Sequence, residues 1–221
     1  MNHKQLVGEA ACEYIKDGMT VGLGTGSTAY YTIMKVGEMV RNGLNIKAVP
    51  TSESTEKLAR EQNIPLIDIA EVMRIDVGID GADEFDKNKQ LIKGGGGALL
   101  REKIVASLCE TYVVIADCSK KSEFLGSFAL PVEVTPFAKE VTQRQLSELG
   151  CDCALRRINE VLFITDNGNY IIDCKFKKIE DPTALSTLLN TIPGVVENGL
   201  FVNTATYIVC TDTDGNLQII K

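Results

Sequence analysis

The sequence predicts an α/β fold: a Rossmann-like domain with a mostly parallel sheet, carrying an inserted α+β domain of ferredoxin-like type. Three observations support this prediction. Short apolar strands alternate with amphipathic helices in the first half of the chain, which is typical of right-handed βαβ units. These strands are apolar on both faces, as expected where helices cover both sides of a sheet. Beyond residue 127 the element order becomes β-α-β-β-α-β, the order of a ferredoxin-like unit.

The elements of the first domain follow from hydrophobic periodicity and from turn residues. Apolar residues at helical spacing predict a helix over 4–17, which Gly18 ends. Ser52 is placed to cap a helix over 53–62. The remaining predictions are strands over 19–23, 46–49, 75–80 and 111–116, an extended segment over 64–67, and helices over 29–40 and 97–110.

The second domain begins with a predicted strand over 130–134 and a helix over 136–149. Asn167-Gly168 stands between two β-rich runs, 161–165 and 170–175, and predicts a hairpin. The predictions that follow are a helix from Asp181 to Asn190, an extended segment over 194–197, and a hairpin of 203–210 with 217–220. Because that last hairpin can return to the first sheet, the domains are predicted as 1–127 plus 203–221, and 128–202.

The composition limits the class of protein. The chain has 221 residues, 44% of them hydrophobic, and a net charge of −7. The length and the hydrophobic share are ordinary for a globular protein. The negative net charge argues against nucleic acid as a partner. No apolar run approaches the roughly 20 residues that cross a bilayer, and the N-terminus lacks the apolar stretch of a signal peptide. The seven cysteines are scattered and only Cys151 and Cys153 are close, so free thiols and a cytoplasmic location are expected.

The single histidine, His3, lies near the N-terminus. Ser-His-Asp and Cys-His catalysis are therefore not expected, nor are histidine-based zinc or iron sites. Acid–base chemistry must fall to carboxylates, lysines or tyrosines.

Ligand-binding loops of an open parallel sheet lie at the carboxyl ends of its strands. One such loop, 22–28, reads Gly-Leu-Gly-Thr-Gly-Ser-Thr. It lacks the third glycine of the dinucleotide fingerprint and the Gly-Lys-Ser/Thr of a Walker loop. Its small residues, hydroxyls and N–H groups at a helix N-terminus suit an anion, although a capped βα turn would look the same.

An acidic loop follows the strand over 75–79. Asp80, Asp83, Glu84 and Asp86 occupy four of seven positions. Such a loop can bind a divalent metal such as Mg²⁺, accept hydrogen bonds from sugar hydroxyls, pair with a lysine, or be a solvated turn. Two acids that flank Gly81-Ala82 directly after an apolar strand favour a functional loop over a solvated one.

The glycine run over 94–97, preceded by Lys93, is the most informative stretch. N–H groups without shielding side chains let an anion approach closely, and the helix that follows favours negative charge at its start. A flexible linker is the alternative, but apolar residues flank the run. Glu102, about two turns into that helix, is a candidate catalytic carboxylate or an ordinary surface residue. Lys120 is a candidate phosphate ligand or one end of an exposed Lys-Lys pair.

Together, in order along nearly the whole chain, these segments resemble the A-type ribose-5-phosphate isomerase family. The segments that carry the resemblance are 24–28, 52–55, 80–84, 93–103, 116–120, 130–134 and 194–201. The resemblance implies reversible aldose–ketose isomerisation of D-ribose 5-phosphate and D-ribulose 5-phosphate through an enediolate, in the pentose phosphate pathway. It also implies no cofactor, no metal requirement, and a homodimer or tetramer with 128–202 as the contact domain.

The same resemblance implies roles for individual residues. Glu102 matches the general base, and Lys93 would stabilise the charge that builds on the O1/O2 edge of the sugar. Asp80 and Asp83 match catalytic polar groups that assist ring opening and position hydroxyls. The substrate-binding positions are Lys4, Thr25, Gly26, Ser27, Thr28, Asp80, Gly81, Ala82, Asp83, Lys93, Gly94, Gly95, Gly96 and Lys120, with Lys4 near the phosphate.

Two other classes of function stay open at this point. A coenzyme A transferase-like enzyme would use a glutamate as a nucleophile and form a covalent acyl thioester. A non-catalytic sugar-phosphate sensor usually carries a helix-turn-helix module, and no basic segment of that kind precedes residue 20 or follows residue 200.

Overall fold

A computed structural model of the chain describes residues 2–221. The helices within those residues are α1 His3–Ala10, α2 Ala29–Arg41, α3 Glu53–Glu61, α4 Leu99–Ser107, α5 Lys139–Ser147 and α6 Pro182–Leu189. Short 3₁₀ turns lie at Ala11–Tyr14, Ile69–Glu71 and Cys118–Lys120. None of the helices in this described part of the chain is both long and apolar enough to span a bilayer.

The strands are short, and most of them are apolar. They are β1 Thr20–Leu23, β2 Lys47–Pro50, β3 Ile75–Gly81, β4 Glu84–Phe85, β5 Leu91–Ile92, β6 Cys109–Ala116, β7 Leu130–Val134, β8 Asp152–Leu155, β9 Arg157–Ile158, β10 Val161–Leu162, β11 Tyr170–Lys175, β12 Val195–Asn198, β13 Leu200–Phe201, β14 Tyr207–Thr211 and β15 Leu217–Ile220.

The chain divides into two compact units. The first comprises Met1–Ala82, Arg101–Lys120 and Thr204–Lys221, and the second comprises Asp83–Leu100 and Lys121–Asn203. The sequence-based boundaries differ from this division at 83–100, 121–127 and 203. The reason for the first difference is a three-stranded sheet in which β5 pairs with β4 on one side and with β13 on the other, which joins 84–92 to residues 200–201.

The first unit is built on a six-stranded sheet with the order β15-β14-β6-β3-β1-β2. All its pairings are parallel except that of β14 with β15, so the predicted mostly parallel sheet and the final hairpin are confirmed. Helix α1 packs on α2, β6 and β14. Strands β1, β3 and β6 end at Leu23, Gly81 and Ala116, which places the loops that follow them at one edge of the sheet.

Three helices are several residues shorter than predicted, for local reasons. The predicted helix over 136–149 spans only Lys139–Ser147, because Ala138 before it has φ +53°, outside the range of an α-helix. The predicted helix over 4–17 ends at Ala10 and continues as the 3₁₀ turn 11–14, a common way for a helix to tighten at its end. The predicted helix over 97–110 starts only at Leu99, because Gly97 has φ +85°, a left-handed conformation that an α-helix excludes. Ser52 does cap α3, since its Oγ accepts the Thr55 N–H at 3.0 Å.

The second unit contains a four-stranded antiparallel sheet with the order β12-β7-β11-β8. Helix α5 packs on β8 and β11, and α6 packs on β12. With the chain order β7-α5-β8-β11-α6-β12, this is the predicted ferredoxin-like arrangement. The second strand of that unit is β8, however, and not the predicted run over 161–165.

The predicted hairpin of 161–165 with 170–175 is wrong in its pairing. Strand β10 pairs with β9, and only one bridge joins Ile164 to Tyr170. The turn at Asn167-Gly168 is nevertheless present, because Glu133 of β7 fixes it from outside. The Glu133 Oε1 accepts hydrogen bonds from Thr165 Oγ1 at 2.9 Å, Asn167 Nδ2 at 3.2 Å and Asn169 Nδ2 at 2.9 Å.

Candidate active site

Asp80 lies near the end of β3 and holds together the loops at that edge of the first sheet. Its carboxylate is 1% exposed, and its Oδ1 accepts the backbone N–H groups of Thr25 at 3.0 Å and Gly81 at 2.7 Å. The Tyr112 hydroxyl donates to Oδ2 at 3.3 Å. Three donors from three segments therefore hold this carboxylate in one orientation.

Gly24 is required where the β1–α2 loop meets Asp80. A Cβ at position 24 would lie 2.1 Å from Asp80 Oδ1 and 2.6 Å from Asp80 Cα, far inside van der Waals contact. The glycine therefore permits a close approach between two loops. Ala82 and the half-buried Gly81, which follow Asp80 directly, continue the chain from this contact.

Tyr112 is a partner of Asp80 that the sequence did not single out. Burial, then the negative charges of Asp80 and Glu102, raise the pKa of Tyr112 well above its usual range. The phenol therefore keeps its proton and remains a donor at working pH. Because the charges of both acids act on the Tyr112 phenol, Glu102 and Asp80 both lie near this buried side chain of the first unit.

Thr25 fastens the β1–α2 loop to the start of α3. Its Oγ1 lies 2.8 Å from Thr51 Oγ1, 2.8 Å from Ser52 Oγ and 3.1 Å from Thr55 Oγ1. The last three residues are buried, so this hydroxyl cluster is part of the packed interior. The Thr25 hydroxyl, predicted to bind substrate, is therefore engaged within the protein and holds the loop in place.

Lys4 and Ser27 meet at the start of α2, although 23 positions separate them in the chain. The Lys4 Nζ donates to Ser27 Oγ at 2.9 Å, Gly26 and Ser27 are exposed, and Thr28 is half-buried. Gly26 and Ser27 also line a cleft of about 450 Å³. An ammonium group, an exposed hydroxyl and a helix N-terminus together suit an anion such as a phosphate.

Glu102 and Lys120 are the other predicted residues of the first unit. Glu102 is 3% exposed and lies in the first turn of α4, not two turns in, because the helix begins at Leu99. A buried carboxylate in that turn is unusual for a surface helix and is favoured by the helix dipole. Lys120 ends the 3₁₀ turn after β6 and is half-buried.

The glycine loop of the second unit is held by Asp83. The Asp83 Oδ2 accepts the Gly95 N–H at 2.7 Å, and a Cβ at position 95 would lie 2.5 Å from Asp83 Oδ1. Gly94 has φ +98°, which a residue with a side chain rarely adopts. The exposed Gly96 follows Gly95 in the same loop.

Lys93 is a buried lysine at the start of this loop. It is 2% exposed, its backbone N–H donates to Gly199 O at 2.9 Å, and its Nζ lies 5.3 Å from the centre of the Phe201 ring. The backbone bond fixes the position of Lys93 in the chain, and burial against the Phe201 ring confines its ammonium group. It suits the stabilisation of negative charge on a bound molecule.

Arg156 holds the glycine loop from the other side and was not predicted. Its Nη1 donates to Gly94 O at 2.9 Å and Gly95 O at 3.0 Å. Asp173 in turn holds the guanidinium through Nε at 3.0 Å and through Nη2. The Arg156-Arg157 pair in the sequence carries no signal for this role, because the partners of Arg156 in the loop lie more than 60 positions away.

We expect Arg156→Ala to lower kcat/KM by roughly 10- to 100-fold. The guanidinium makes charge-assisted bonds to two loop carbonyls, each worth about 1.5–3 kcal/mol. Misplacement of this loop is costly if it binds the substrate, as the sequence predicts. Steady-state kinetics on the purified variant measures the change. Arg157→Ala is the matched control, because Arg157 is exposed and donates to Glu160 O. Equal kinetics for the two variants would contradict the role given to Arg156.

The remaining acids of the acidic loop hold different segments of the second unit. Glu84, which is buried, accepts the N–H groups of Gly126 at 2.9 Å and Phe128 at 3.2 Å. Burial raises its pKa, but hydrogen bonds from Ser122, Ser127 and those N–H groups outweigh it, so the pKa is lowered. Asp86 caps a turn by accepting the N–H groups of Asn88 and Gln90, both at 2.8 Å. Each carboxylate therefore has a structural partner of its own.

Comparisons with known proteins agree over the whole chain. The family described as ribose 5-phosphate isomerase A (phosphoriboisomerase A) matches residues 47–215. A ribose-5-phosphate isomerase A of Bacillus mycoides is 54% identical over 204 residues, 92% of each chain. One of Listeria monocytogenes is 48% identical and covers 100% of this chain and 99% of its own.

Solved structures give the same result. A D-ribose-5-phosphate isomerase in complex with phospho-erythronic acid superposes with a TM-score of 0.96 at 40% identity, covering 100% of both chains. Ribose 5-phosphate isomerase from Plasmodium falciparum gives a TM-score of 0.95 at 38% identity, covering 99% of this chain and 97% of its own. On these grounds the chain belongs to the ribose-5-phosphate isomerase A family.

Proposed function

We propose that the protein interconverts D-ribose 5-phosphate and D-ribulose 5-phosphate, as an aldose–ketose isomerase of pentose phosphate metabolism. One observation carries the proposal. In a chain that matches isomerases of this name over its full length, a buried carboxylate, Glu102, lies in the first turn of the helix that follows the glycine loop.

The reaction moves one proton between neighbouring carbons. In its carboxylate form Glu102 removes the proton from C2 of the open-chain aldose and, as the acid, returns it to C1 of the enediolate. The C1 and C2 oxygens exchange carbonyl and hydroxyl character on the way. A single carboxylate thus serves both steps, and no redox partner is needed.

Negative charge builds on the O1/O2 edge of the sugar in the enediolate. We assign Lys93 to stabilise it, together with N–H groups of the glycine loop over 94–96. The burial of Lys93 and its ordering by Gly199 and Phe201 support this assignment, because a fixed ammonium group need not reorganise as the charge forms.

Asp80 and Asp83 are assigned to the sugar hydroxyls and to ring opening. Both carboxylates are already oriented by backbone N–H groups, Asp80 by Thr25 and Gly81, and Asp83 by Gly95. A carboxylate oriented in this way presents its lone pairs to a sugar hydroxyl at a defined position.

The phosphate is assigned to Lys4, to the loop Gly26–Thr28 and to Lys120. The hydrogen bond from Lys4 Nζ to Ser27 Oγ, at the N-terminus of α2, supports this assignment. Binding of the phosphate, remote from the reacting carbons, supplies energy for orienting C1 and C2.

The experiment that tests the proposal is turnover of ribose 5-phosphate with EDTA present. We expect metal-independent formation of ribulose 5-phosphate, competitively inhibited by phospho-erythronic acid with a Ki at least about tenfold below KM, since its carboxylate presents the oxygens and charge of the enediolate edge. Sugar-phosphate binding without turnover would instead indicate a sensor. An adduct trapped by hydroxylamine with an acyl-CoA would indicate a coenzyme A transferase.

We further propose that the protein is a cytoplasmic homo-oligomer, a dimer or tetramer, with contacts in the second unit. All seven thiols are free, which suits a reducing compartment. The second unit exposes large apolar side chains at Phe137, Ile158, Val161 and Ile164. Ile158 lies opposite Val161 in the pairing of β9 with β10, and adjoining exposed apolar side chains are typical of protein interfaces. The region 128–202 contains all four.

We expect Val161→Glu to weaken the dimer at least about tenfold, because a charge would enter an apolar contact. Sedimentation velocity over a range of protein concentrations measures the dissociation constant. Met73→Glu is the control, as Met73 is an even more exposed apolar residue but belongs to the first unit. A wild-type protein that stays monomeric at tens of micromolar would refute the proposed interface.

A further inference from the structure

Three cysteines of the second unit bring their sulfur atoms together. Cys153 Sγ lies 3.5 Å from Cys151 Sγ and 3.4 Å from Cys174 Sγ, and all three sulfurs lie within 4.8 Å of one another. Within residues 2–221 this is the one group of three or more His, Cys, Asp or Glu side chains spaced to share an ion. The isomerase chemistry proposed above does not use it.

The fold dictates this convergence. Cys153 of β8 and Cys174 of β11 are directly opposite in the antiparallel register, so their side chains leave the sheet on the same face. Cys151 lies in the bend directly before β8, where its Sγ is 3.4 Å from Leu146 O and 3.5 Å from Cys153 Sγ. The sheet thus sets the positions of Cys153 and Cys174, and the end of α5 sets that of Cys151.

The surroundings of the sulfurs are largely apolar. Cys151 and Cys174 are buried in the core of the second unit together with Leu146 and Phe176, whereas Cys153 is half-buried. Cys151 Sγ lies 3.4 Å from Leu146 O. Two of the three ligands therefore lie in the interior of the unit, and Cys153 is the one nearest the solvent.

The donor set and its spacing select the ion. Thiolates are soft ligands that prefer Zn²⁺ and Cu⁺ to Mg²⁺ or Ca²⁺. A tetrahedral ion with Zn–S bonds of about 2.3 Å keeps its sulfurs roughly 3.8 Å apart, close to the separations found here. We propose that Cys151, Cys153 and Cys174 bind one thiophilic d¹⁰ cation, Zn²⁺ or Cu⁺, as a structural site of the second unit.

Ion binding would replace thiol protons, which pass to the solvent. Zn²⁺ would complete its coordination with water on the side of Cys153, whereas Cu⁺ is satisfied by the three sulfurs alone. The site would join β8, β11 and the turn after α5, so the bound ion adds a cross-link to the sheet of the second unit. The proposal does not depend on the isomerase activity.

The test is metal titration of the full-length, fully reduced, metal-free protein. Cd²⁺ serves as a spectroscopic stand-in for Zn²⁺, through its thiolate-to-metal charge-transfer absorption. Competition with chromophoric chelators gives the affinities for Zn²⁺ and, under anaerobic conditions, for Cu⁺. We expect one ion per chain with a Kd of about 1 µM or tighter.

Cys153→Ser should weaken metal binding at least about 100-fold and remove the charge-transfer band. The loss of a ligand lowers metal affinity by more than the roughly 10- to 100-fold that is typical for loss of a residue hydrogen-bonded to a ligand. Cys118→Ser, outside the cluster, is the matched control and should bind like wild type. At a free ion concentration about 100 times Kd, the unfolding midpoint of wild type should rise by roughly 5–10 °C, and that of Cys153→Ser should not.

Two results would overturn the proposal. One is the absence of 1:1 binding by Cd²⁺, Zn²⁺ and Cu⁺, in which case the three thiols are core packing. The other is binding that Cys118→Ser reduces as much as Cys153→Ser does. Since Cys174→Ser buries a hydroxyl in the core and could unfold the unit, the half-buried Cys153 is the position to change first.

Discussion

Glu102→Gln is expected to lower kcat by about three orders of magnitude or more. The amide has the size and shape of the carboxyl group but cannot accept the C2 proton, and general-base catalysis contributes typically 10²- to 10⁴-fold. Because Glu102 is buried, solvent cannot readily take over the proton transfer. Initial rates of ribulose 5-phosphate formation measure the loss, and KM should change by only a few-fold.

Glu84→Gln separates loss of chemistry from loss of structure. Glu84 is equally buried but holds backbone N–H groups of the segment 126–128. Its replacement should lower thermal stability by the equivalent of about 1–3 kcal/mol while kcat stays within a few-fold of wild type. Glu102→Gln should show the opposite pattern. If it kept more than a tenth of wild-type turnover, Glu102 would not be the base.

Among glycine-to-alanine substitutions in the first unit, Gly24→Ala is expected to lower stability and activity the most. The new Cβ would lie 2.1 Å from Asp80 Oδ1 and 2.6 Å from Asp80 Cα, so either the loop after β1 or the end of β3 must move. We expect a loss of roughly 2–4 kcal/mol of stability. The surviving folded protein should lose at least about 100-fold in kcat/KM, because both the loop and Asp80 are displaced. Thermal unfolding and steady-state kinetics test both parts.

Gly43→Ala distinguishes steric contact from backbone freedom. Gly43 has φ +103° and nothing within 4 Å of an added Cβ, so alanine there costs about 1–2 kcal/mol through conformation alone and should leave kinetics unchanged. At Gly24 the cost comes from the close approach of another residue. A Gly24→Ala variant that melts and turns over like wild type would mean that the loop and Asp80 are not coupled.

The local signals in the sequence predicted most of the fold. Parallel strands, the cap at Ser52 and the final hairpin follow from patterns within ten or so residues, where periodicity and turn chemistry act. The pairing of β11 could not be predicted from such local patterns. The Asn167-Gly168 turn favours pairing of 161–165 with 170–175, but β8 pairs with β11 instead, and Glu133 holds the turn. Local patterns cannot report which distant strand competes better.

The candidate site divides in the same way. Residues within contiguous motifs, such as Asp80, Lys93 and Glu102, could be picked out because an acid or a lysine beside a glycine-rich turn has few structural uses. Tyr112 looks like an ordinary residue of a buried strand, and Arg156 looks like one half of an ordinary Arg-Arg pair. Their roles come from partners more than 30 and 60 positions away, which only the folded chain brings near.

The pairing of β14 with β6 has a consequence for how the protein is made. Tyr207–Thr211 covers β6 in the first unit, so that edge of the sheet stays open until this segment has been synthesised. The segment 121–203 is complete before then. On the ribosome, the second unit can thus form while the nascent first unit still exposes an unpaired, apolar strand edge. The step most vulnerable to aggregation in vivo is then the addition of β14 to a partly built sheet, a late and long-range contact.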